Sequence, residues 1–422
     1  MPFWIIADDF TGANDSIARF AAAGARAVTL FEPRLARERL AADPAPAVAL
    51  SVNSRSLDRE EAYRANRAAI ERLAPAAEDL VYKKIDSALR GQLGSELDAL
   101  LDGLGTARIA LVAPALPENG RITAGGYQLL NGIPVHETEM AVDPVTPVRE
   151  SHLPSLLAAA SRYKVGYLPL GAVYRGLETA RAALEEQIAA GCRIVVADAT
   201  RPAHLDILAR LCLASPAAIL PCGAAGLAGA LARQLFPTPA SRSGAETGKA
   251  GPLAAVIGSK SPAALLQIRQ ALTDLPWLSE IETQRLALVT TGRLREEAER
   301  IGAASQQLLS AGQKGVVIRL DADPAVDPAA LDAAALAAGL GAIARRLVED
   351  SGVRTLYLSG GDIAAAAVAA LEGWGLAVVA ELDPGVCLGS LRGGPFEGLR
   401  VVTKAGSFGD SGTLVRVLRA LA

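Results

Sequence analysis

An apolar run at the N-terminus ends in acidic and hydroxyl side chains that could do chemistry on a polar small molecule. The run Phe3–Ala7 is followed by Asp8, Asp9, Thr11, Gly12, Asn14 and Asp15. A carboxylate at the end of a parallel strand could accept the proton of an attacking hydroxyl group. A plain helix cap is the competing interpretation, but a cap needs one acid rather than the three present in this segment.

Two further apolar runs, Ala47–Val52 and Leu80–Lys83, contain or precede cations. The charged residues of this set are Arg55, Lys83, Lys84, Asp86 and Arg90. Lys83 falls inside an apolar run, where a solvated surface lysine is a poor explanation. Because arginine can bind a carboxylate through two parallel hydrogen bonds, the set predicts a mixed-charge pocket for an acidic substrate. Structural ion pairing at a helix start is the alternative for any single member.

Three turns in the second half of the chain combine small residues with hydroxyl groups. They comprise residues 258–261 around Ser259, residues 359–362 (Ser359, Gly360, Gly361, Asp362) and residues 403–410 with Lys404 and Gly406. Small residues let backbone amides approach phosphate oxygens, and helix N-termini favour anions. Three such turns in one domain favour a nucleotide site over ordinary tight turns.

Motifs of several other protein classes are missing or incomplete. The segment from Gly244 to Lys249 is one residue short of a P-loop, and no GxGxxG follows the first strand. The cysteines are Cys192, Cys212, Cys222 and Cys387, with no CxxC among them, so buried reduced thiols are expected. His136 is expected to be a hydrogen-bonding loop residue, and the sequence leaves any metal ligands unknown.

Apolar runs alternate with amphipathic segments along most of the chain, which predicts an α/β fold with mainly parallel sheets. In the second half the predicted strands include Leu253–Ile257, Leu286–Thr290 and Val316–Leu320. A proline-, glycine- and serine-rich stretch at 237–251 predicts a linker between two α/β domains, 1–236 and 252–422. The active site is expected in the cleft between these domains. Residues 114–150 are expected to form a long excursion over the first domain.

Composition argues against several kinds of partner. The chain has 42 Lys and Arg against 45 Asp and Glu, a net charge of −3, which disfavours nucleic acid. No segment approaches the ~18 consecutive apolar residues that predict a membrane span, so no membrane partner and a cytoplasmic location are expected. A homodimer is compatible with this size and polarity, although no segment requires one.

Taken together, the motifs resemble those of the four-carbon acid sugar kinases over essentially the whole chain. The matching segments are ADDFTGAND (7–15), SVNSR (51–55), KKIDSALRG (83–91), GRITAGGYQ (120–128), GIPVHET (132–138), LSGGD (358–362) and TKAGSFG (403–409). The resemblance implies an N-terminal sugar-acid domain and a C-terminal nucleotide domain. It also implies phosphorylation by ATP of the terminal hydroxyl, giving a 4-phosphate, with Mg²⁺ holding the triphosphate.

The resemblance also carries site residues over. The implied sugar-acid site comprises Asp9, Arg55, Lys83, Lys84 and Asp86. Arg90 is expected beside it, and Asp9 or Asp86 is expected to orient and deprotonate the 4-hydroxyl. The ATP site comprises Ser259, Ser359, Gly360, Gly361, Asp362 and Gly406, with Lys404 among them. KKIDSALRG is similar to the D-threonate kinase branch, which favours D-threonate over 3-oxo-tetronate, erythronate or L-threonate. A nicotinamide-dependent oxidoreductase and a non-catalytic sugar-acid sensor are the alternatives of a different class.

Overall fold

The computed structural model describes residues 2–31, 40, 44–76, 79–105, 108–143, 145–215, 218–237, 251–259, 261–290, 292–321, 331–404 and 409–422. The chain divides into two compact units, Met1–Ser241 and Arg242–Ala422. The segment 238–250, which makes up most of the predicted linker, lies outside the described residues. The predicted domain limits therefore stay a prediction.

The first unit is built on a parallel sheet. Its strands are β1 (Phe3–Ala7), β2 (Ala27–Leu30), β3 (Ala47–Ser51), β4 (Leu80–Lys84), β5 (Ile109–Ala113), β6 (Arg121–Ala124), β7 (Tyr127–Leu130), β8 (Ile133–Pro134), β9 (Val165–Leu168), β10 (Ile194–Ala197) and β11 (Ile219–Gly223). The main sheet has the order β2-β3-β1-β4-β11-β5-β10-β9, and every neighbouring pair is parallel. Strands buried on both faces need continuous apolar runs, which explains why β1 reads Phe-Trp-Ile-Ile-Ala.

Helices connect these parallel strands. They are α1 (Phe10–Ala22), α2 (Arg59–Leu73), α3 (Leu93–Leu104), α4 (Leu153–Ala160), α5 (Leu170–Tyr174), α6 (Leu177–Ala189), α7 (Pro202–Ala214) and α8 (Ala225–Leu235). Helix α1 begins directly after β1 because the Asp9 side chain accepts a hydrogen bond from the Gly12 amide. Helix α2 begins with a capping box formed by Asp58 and Glu61.

The excursion expected at 114–150 contains a small sheet of its own. Strands β6, β7 and β8 pair in antiparallel fashion in that order. Three short 3₁₀ helices accompany them, at Pro117–Asn119, Val135–Glu137 and Glu139–Val142. The sequence marks this stretch as irregular, and its hydrogen bonds show that it is an ordered part of the first unit.

The second unit carries a mixed sheet. Its strands are β12 (Leu253–Ile257), β13 (Leu278–Thr283), β14 (Gly315–Leu320), β15 (Thr355–Ser359), β16 (Gly375–Asp383), β17 (Val386–Arg392) and β18 (Arg400–Lys404). They run in the order β13-β14-β12-β15-β18-β17-β16. The pairs from β13 to β18 are parallel, whereas β17 pairs antiparallel with both β18 and β16. Together with the first unit, this confirms the predicted α/β class with mainly parallel sheets.

Helices and one apolar core complete the second unit. The helices are α9 (Pro262–Asp274), α10 (Arg285–Val289), α11 (Arg293–Ser310), α12 (Ala333–Asp350), α13 (Gly361–Ala370) and α14 (Thr413–Leu421). On one face of the sheet, Ala255 and Val402 pack with Ile268 of α9 and Leu418 of α14. None of the described helices combines the length and the apolar character needed to cross a membrane.

One predicted strand of this unit is wrong. Residues 286–290 were expected as a strand, but Arg285–Val289 forms helix α10, and the strand in this region is β13. A short apolar run does not distinguish a strand from a buried helical turn. Strand β13 alternates buried and exposed residues as Leu-Ser-Glu-Ile-Glu-Thr at the edge of the sheet, so it lacks the apolar run of the inner strands.

Candidate active site

Three strand ends of the first unit bring charged residues to one edge of the parallel sheet. Ala7 of β1 pairs with Ser51 of β3 on one side and with Lys84 of β4 on the other. The segments that follow these strands therefore emerge side by side. They carry Asp8 and Asp9, then Asn53, Ser54 and Arg55, and finally Asp86 and Ser87.

Arg55 lies at the centre of this edge and binds its acidic neighbours. Its Nε donates to Asp8 Oδ2 at 2.7 Å. Its Nη1 and Nη2 donate to the two carboxylate oxygens of Asp9 at 2.9 and 2.8 Å. Asp86 Oδ1 lies 3.8 Å from Nη2. The paired donors expected to bind a substrate carboxylate are therefore occupied by Asp9, and Arg55 orients that side chain.

Asp9 is the carboxylate of this edge that stays partly accessible, with a quarter of its side chain exposed. Besides binding Arg55, its Oδ1 accepts the Gly12 amide at 2.8 Å and so caps helix α1. Burial raises the pKa of Asp9, and the neighbouring Asp8 carboxylate adds to that effect, while Arg55 and Lys84 oppose it. A raised pKa makes this carboxylate a better proton acceptor.

Asp86 lies in a different electrostatic environment. Arg90 donates to it from Nε at 2.9 Å and from Nη2 and the backbone amide at 3.3 Å each. Burial works against the charged form, but Arg55 and Arg90 outweigh it and hold the pKa of Asp86 well below its usual range. Arg90 also reaches Asp143, with Nη1 3.3 Å from Oδ2. Asp86 is thus a permanently charged brace between two arginines.

The two lysines of β4 point to opposite faces of the sheet, as successive residues of a strand must. The Lys84 ammonium donates to the Ile85 carbonyl at 2.9 Å and contributes to the electrostatic environment of Asp9. A Cβ on Gly12 would lie 2.6 Å from the Lys84 ammonium and 2.6 Å from Asp9 Oδ1, so glycine leaves room for both groups.

Lys83 is fully buried, and the structure does not bring it to the acidic cluster. Its Nζ lies 2.7 Å from Glu96 Oε2 and donates to Asn66 Oδ1 at 3.0 Å. The other Glu96 oxygen accepts a 2.7 Å hydrogen bond from Ser54, the residue before Arg55. These contacts differ from the substrate contact that was expected for Lys83. Its ammonium supports the Arg55 loop from inside the unit, through Glu96 and Ser54.

The structure places at this edge three residues that were not assigned to the site from the sequence. Asp8 is almost fully buried and holds the Nε of Arg55. Arg121, at the start of β6, donates from Nη1 to the Ser87 hydroxyl. Gln128 of β7 donates to the Ser87 carbonyl at 2.8 Å. The polar density of residues 120–128 was the available signal, but only the folded chain shows where the excursion docks.

The second unit aligns three of its expected nucleotide residues along one sheet edge. Ser359 at the end of β15 pairs with Ile257 of β12 and with Lys404 of β18, so the segments after these strands are neighbours. Gly360 has a φ of 119°, a conformation that favours glycine, and its amide donates to the Lys404 carbonyl at 2.8 Å. Helix α13 begins at the next residue.

The hydroxyl and ammonium groups at this edge have distinct environments. Ser359 is buried, and its Oγ has no hydrogen-bond partner among the described residues. Burial lowers the pKa of Lys404 to about 8. Ser259 Oγ donates to Ser261, which in turn caps helix α9.

The structure describes two of the three remaining residues that were expected to bind nucleotide. Gly361 is the first residue of α13, and Asp362 is exposed in its first turn. Gly406 lies outside the described residues. No group of three or more His, Cys, Asp or Glu side chains within the described ranges is arranged to hold a metal ion alone.

Comparison with known proteins gives the family. Residues 3–231 match the model of a sugar-binding N-terminal domain, and residues 254–414 match that of a nucleotide-binding C-terminal domain. A D-threonate kinase of Bordetella bronchiseptica is 36% identical, with 99% of this chain and 96% of that protein covered. A D-erythronate kinase of Heliobacterium modesticaldum is 34% identical, with 96% and 94% covered. A 3-oxo-tetronate kinase of Methylobacterium radiotolerans is 31% identical, with 99% and 98% covered.

Solved structures show the same fold. A crystal structure from Salmonella typhimurium, provisionally described as a tRNA synthase, matches with a TM-score of 0.83 at 26% identity, covering 100% of this chain and 99% of that one. A Haemophilus influenzae protein matches with a TM-score of 0.76 at 22% identity over all of both chains, which shows the fold alone. Kinase relatives over the full length leave the oxidoreductase and sensor alternatives without support. The chain belongs to the four-carbon acid sugar kinase family and is a kinase of four-carbon sugar acids.

Proposed function

We propose that the enzyme transfers the terminal phosphoryl group of ATP to the 4-hydroxyl of D-threonate and releases D-threonate 4-phosphate. Three relatives named D-threonate kinase, at 36, 32 and 33% identity, support this choice. Relatives named for D-erythronate and 3-oxo-tetronate, at 34 and 31%, make those acids the competing substrates. The observation that carries the proposal is the partly exposed Asp9 carboxylate, set among cations at the edge of the sugar-binding unit.

We assign the general base to Asp9 rather than Asp86. Both were candidates from the sequence, but their surroundings separate them. The pKa of Asp9 is raised by burial, whereas Arg55 and Arg90 hold that of Asp86 far below the ordinary carboxyl value. A proton from the 4-hydroxyl therefore passes more readily to Asp9. Arg55 fixes the orientation of that carboxylate, and Lys84 supplies positive charge beside it.

The second unit supplies the nucleotide site in this proposal. The Gly360 amide is used by the Lys404 carbonyl, but the first amides of α13, from Gly361 onward, have no acceptor within the helix, which suits a phosphate oxygen. Lys404 adds a cation, and the unpartnered Ser359 hydroxyl offers a further polar contact. Ser259 stands at the start of the neighbouring turn, and Gly406 is kept as a sequence-based candidate.

ATP with Mg²⁺ is the proposed nucleotide form. Mg²⁺ usually binds one or two carboxylates together with substrate phosphates, so it needs no cage built wholly of protein groups. Asp362 and the Ser359 hydroxyl are the residues that would hold it. When bound, the ion would neutralise charge on the transferring phosphoryl group. In-line transfer requires the sugar acid held by the first unit and the nucleotide held by the second to meet.

The test is a screen of ADP release over the tetronate stereoisomers and their 3-oxo forms. D-threonate is expected to give the highest kcat/KM, and phosphorus NMR should place the product phosphate on the 4-oxygen. A higher kcat/KM for a 3-oxo acid or for D-erythronate would reassign the substrate within the family. Omission of Mg²⁺ with a chelator present is expected to abolish turnover.

A further inference from the structure

Two of the three cations already described at the Asp9 edge, Arg55 and Arg90, are bound to protein carboxylates. Asp8 and Asp9 occupy three donors of Arg55, and Asp86 and Asp143 occupy Arg90. Lys84 is the remaining cation of this group. Four acids thus face three cations, and a substrate carboxylate would enter a cluster with a surplus of negative charge.

Arg121 is a further cation near this edge. Its guanidinium is half-buried, and its hydrogen bond to the Ser87 hydroxyl sets it one residue from Asp86. Among the described residues, no carboxylate lies within ion-pair distance of Arg121. A guanidinium has five N–H donors in a fixed planar arrangement, so most of those of Arg121 remain for another acceptor.

The excursion that carries Arg121 is held rigidly on the first unit. The Thr123 and Ala199 backbones exchange hydrogen bonds of 2.9 and 3.0 Å. Two residues further on, the amides of Gly125 and Gly126 both donate to the Asp198 carboxylate at 2.9 Å. The guanidinium is therefore attached to a fixed scaffold, as a group that selects a ligand must be.

We infer that Arg121 binds the carboxylate of the sugar acid and is the residue that makes the enzyme select an acid. This inference rests on the proposed function of the same site and adds a residue to it. A planar guanidinium matches a carboxylate through two parallel hydrogen bonds, and Arg121 supplies a positive charge to set against the incoming carboxylate. Arg55, expected from the sequence to have this role, orients Asp9 instead.

The test compares D-threonate with its neutral carboxamide as substrates of wild type, R121Q and R121K. Wild type should prefer the acid by about 100-fold in kcat/KM, the range expected for charge-assisted pairs. In R121Q the acid should lose most of that factor through KM, while the amide changes little, so the preference disappears. R121K should recover part of it. An R121Q variant that keeps the wild-type preference overturns the inference.

Two matched controls separate substrate binding from support of the turn. S87A removes the hydrogen-bond partner of Arg121 but leaves the cation, so it should keep the preference for the acid. Loss of the preference in S87A equal to that in R121Q would mean that Arg121 only holds the turn, and would overturn the inference. R181Q removes a partly exposed arginine of α6, 3.9 Å from Glu178, and should match wild type.

Binding measurements distinguish failure of this inference from failure of the proposed function. Calorimetric titration of D-threonate and D-erythronate needs no turnover, and binding should weaken at least tenfold in R121Q with an unchanged thermal midpoint and ATP affinity. If wild type binds these acids but transfers no phosphoryl group, the proposed reaction is wrong while Arg121 is still tested. If R121Q binds them as tightly as wild type, Arg121 is excluded.

Discussion

At the residue scale, Asp9 and Asp86 show how one type of side chain acquires two roles within one cluster. Asp86 accepts hydrogen bonds from Arg90 and lies near Arg55, so its negative charge is stabilised. Burial raises the pKa of Asp9, and the Asp8 carboxylate, which shares Arg55 with it, adds to that effect. Environment rather than residue type separates the brace Asp86 from Asp9, the proton acceptor that we propose.

Replacing Asp9 with asparagine tests this distinction. We expect kcat to fall by two or more orders of magnitude, because the amide cannot accept the hydroxyl proton; general bases contribute about 10²–10⁴-fold. The fold should survive, since asparagine caps a helix as well as aspartate does. Steady-state ADP release and thermal unfolding measure the two effects. Turnover close to wild type would remove Asp9 from the chemistry.

Lys83 provides a second prediction at this scale. K83M leaves the Glu96 carboxylate buried without its cation, which should cost about 3–5 kcal/mol in the free energy of unfolding. A lysine that touched substrate would instead raise KM and leave stability nearly unchanged. Denaturant unfolding and KM for the sugar acid, measured on the same variant, separate the two roles. K164M, which changes an exposed lysine, is the control and should leave both quantities unaltered.

At the scale of elements, sequence patterns were most informative for the inner strands. Apolar runs such as Phe3–Ala7 and Ile109–Ala113 are strands with those bounds, because burial on both faces requires continuous apolar sequence. Strand β13 escaped prediction because an edge strand carries Glu280 and Glu282 towards solvent. The motif at 120–128 could be recognised, but its contact with Ser87 depends on Asp198, more than seventy residues later in the chain.

The Asp198 carboxylate is predicted to set the position of the excursion. It accepts hydrogen bonds from the Gly125, Gly126 and Leu170 amides and from the Tyr167 hydroxyl. Asparagine has one acceptor oxygen in place of two, so D198N should leave buried donors unpaired at a cost of about 1–3 kcal/mol. The amides of Gly125 and Gly126 should then exchange hydrogen faster, and KM for the acid should rise more than kcat falls.

Two outcomes would contradict the prediction for D198N. If D198N raises exchange throughout the first unit, its effect is global loss of stability. If exchange at the glycine turn rises but KM for the sugar acid stays at the wild-type value, the position of Arg121 does not depend on the turn. E178Q, on the exposed surface of α6, is the control for a change of one carboxylate to an amide.

At the scale of the whole molecule, each unit has its own core and its own row of strand ends. Charged side chains of the first unit cluster after β1, β3 and β4, whereas in the second unit small and hydroxyl residues lie at the ends of β12 and β15, beside Lys404 of β18. Domain number and the class of each ligand could be inferred from sequence, because glycine-rich turns and acid clusters differ in composition. The cation that we propose for the substrate carboxylate could not be inferred from sequence, because that choice depends on ion pairs formed only in the folded chain.

Separate sites predict separate responses of the two ligands to pH. Burial lowers the pKa of Lys404 to about 8, so its positive charge is present below that pH and is lost as pH rises through it. ATP affinity should therefore fall between pH 7 and 9, while binding of the sugar acid, which depends on arginines, should stay constant. Calorimetry of each ligand alone measures both affinities.

K404R should abolish the pH dependence of ATP binding, and D9N should leave it intact. If the affinity for the sugar acid fell in parallel with that for ATP, or if D9N changed the ATP profile, the two sites would be coupled and the assignment of one ligand to each unit would be wrong.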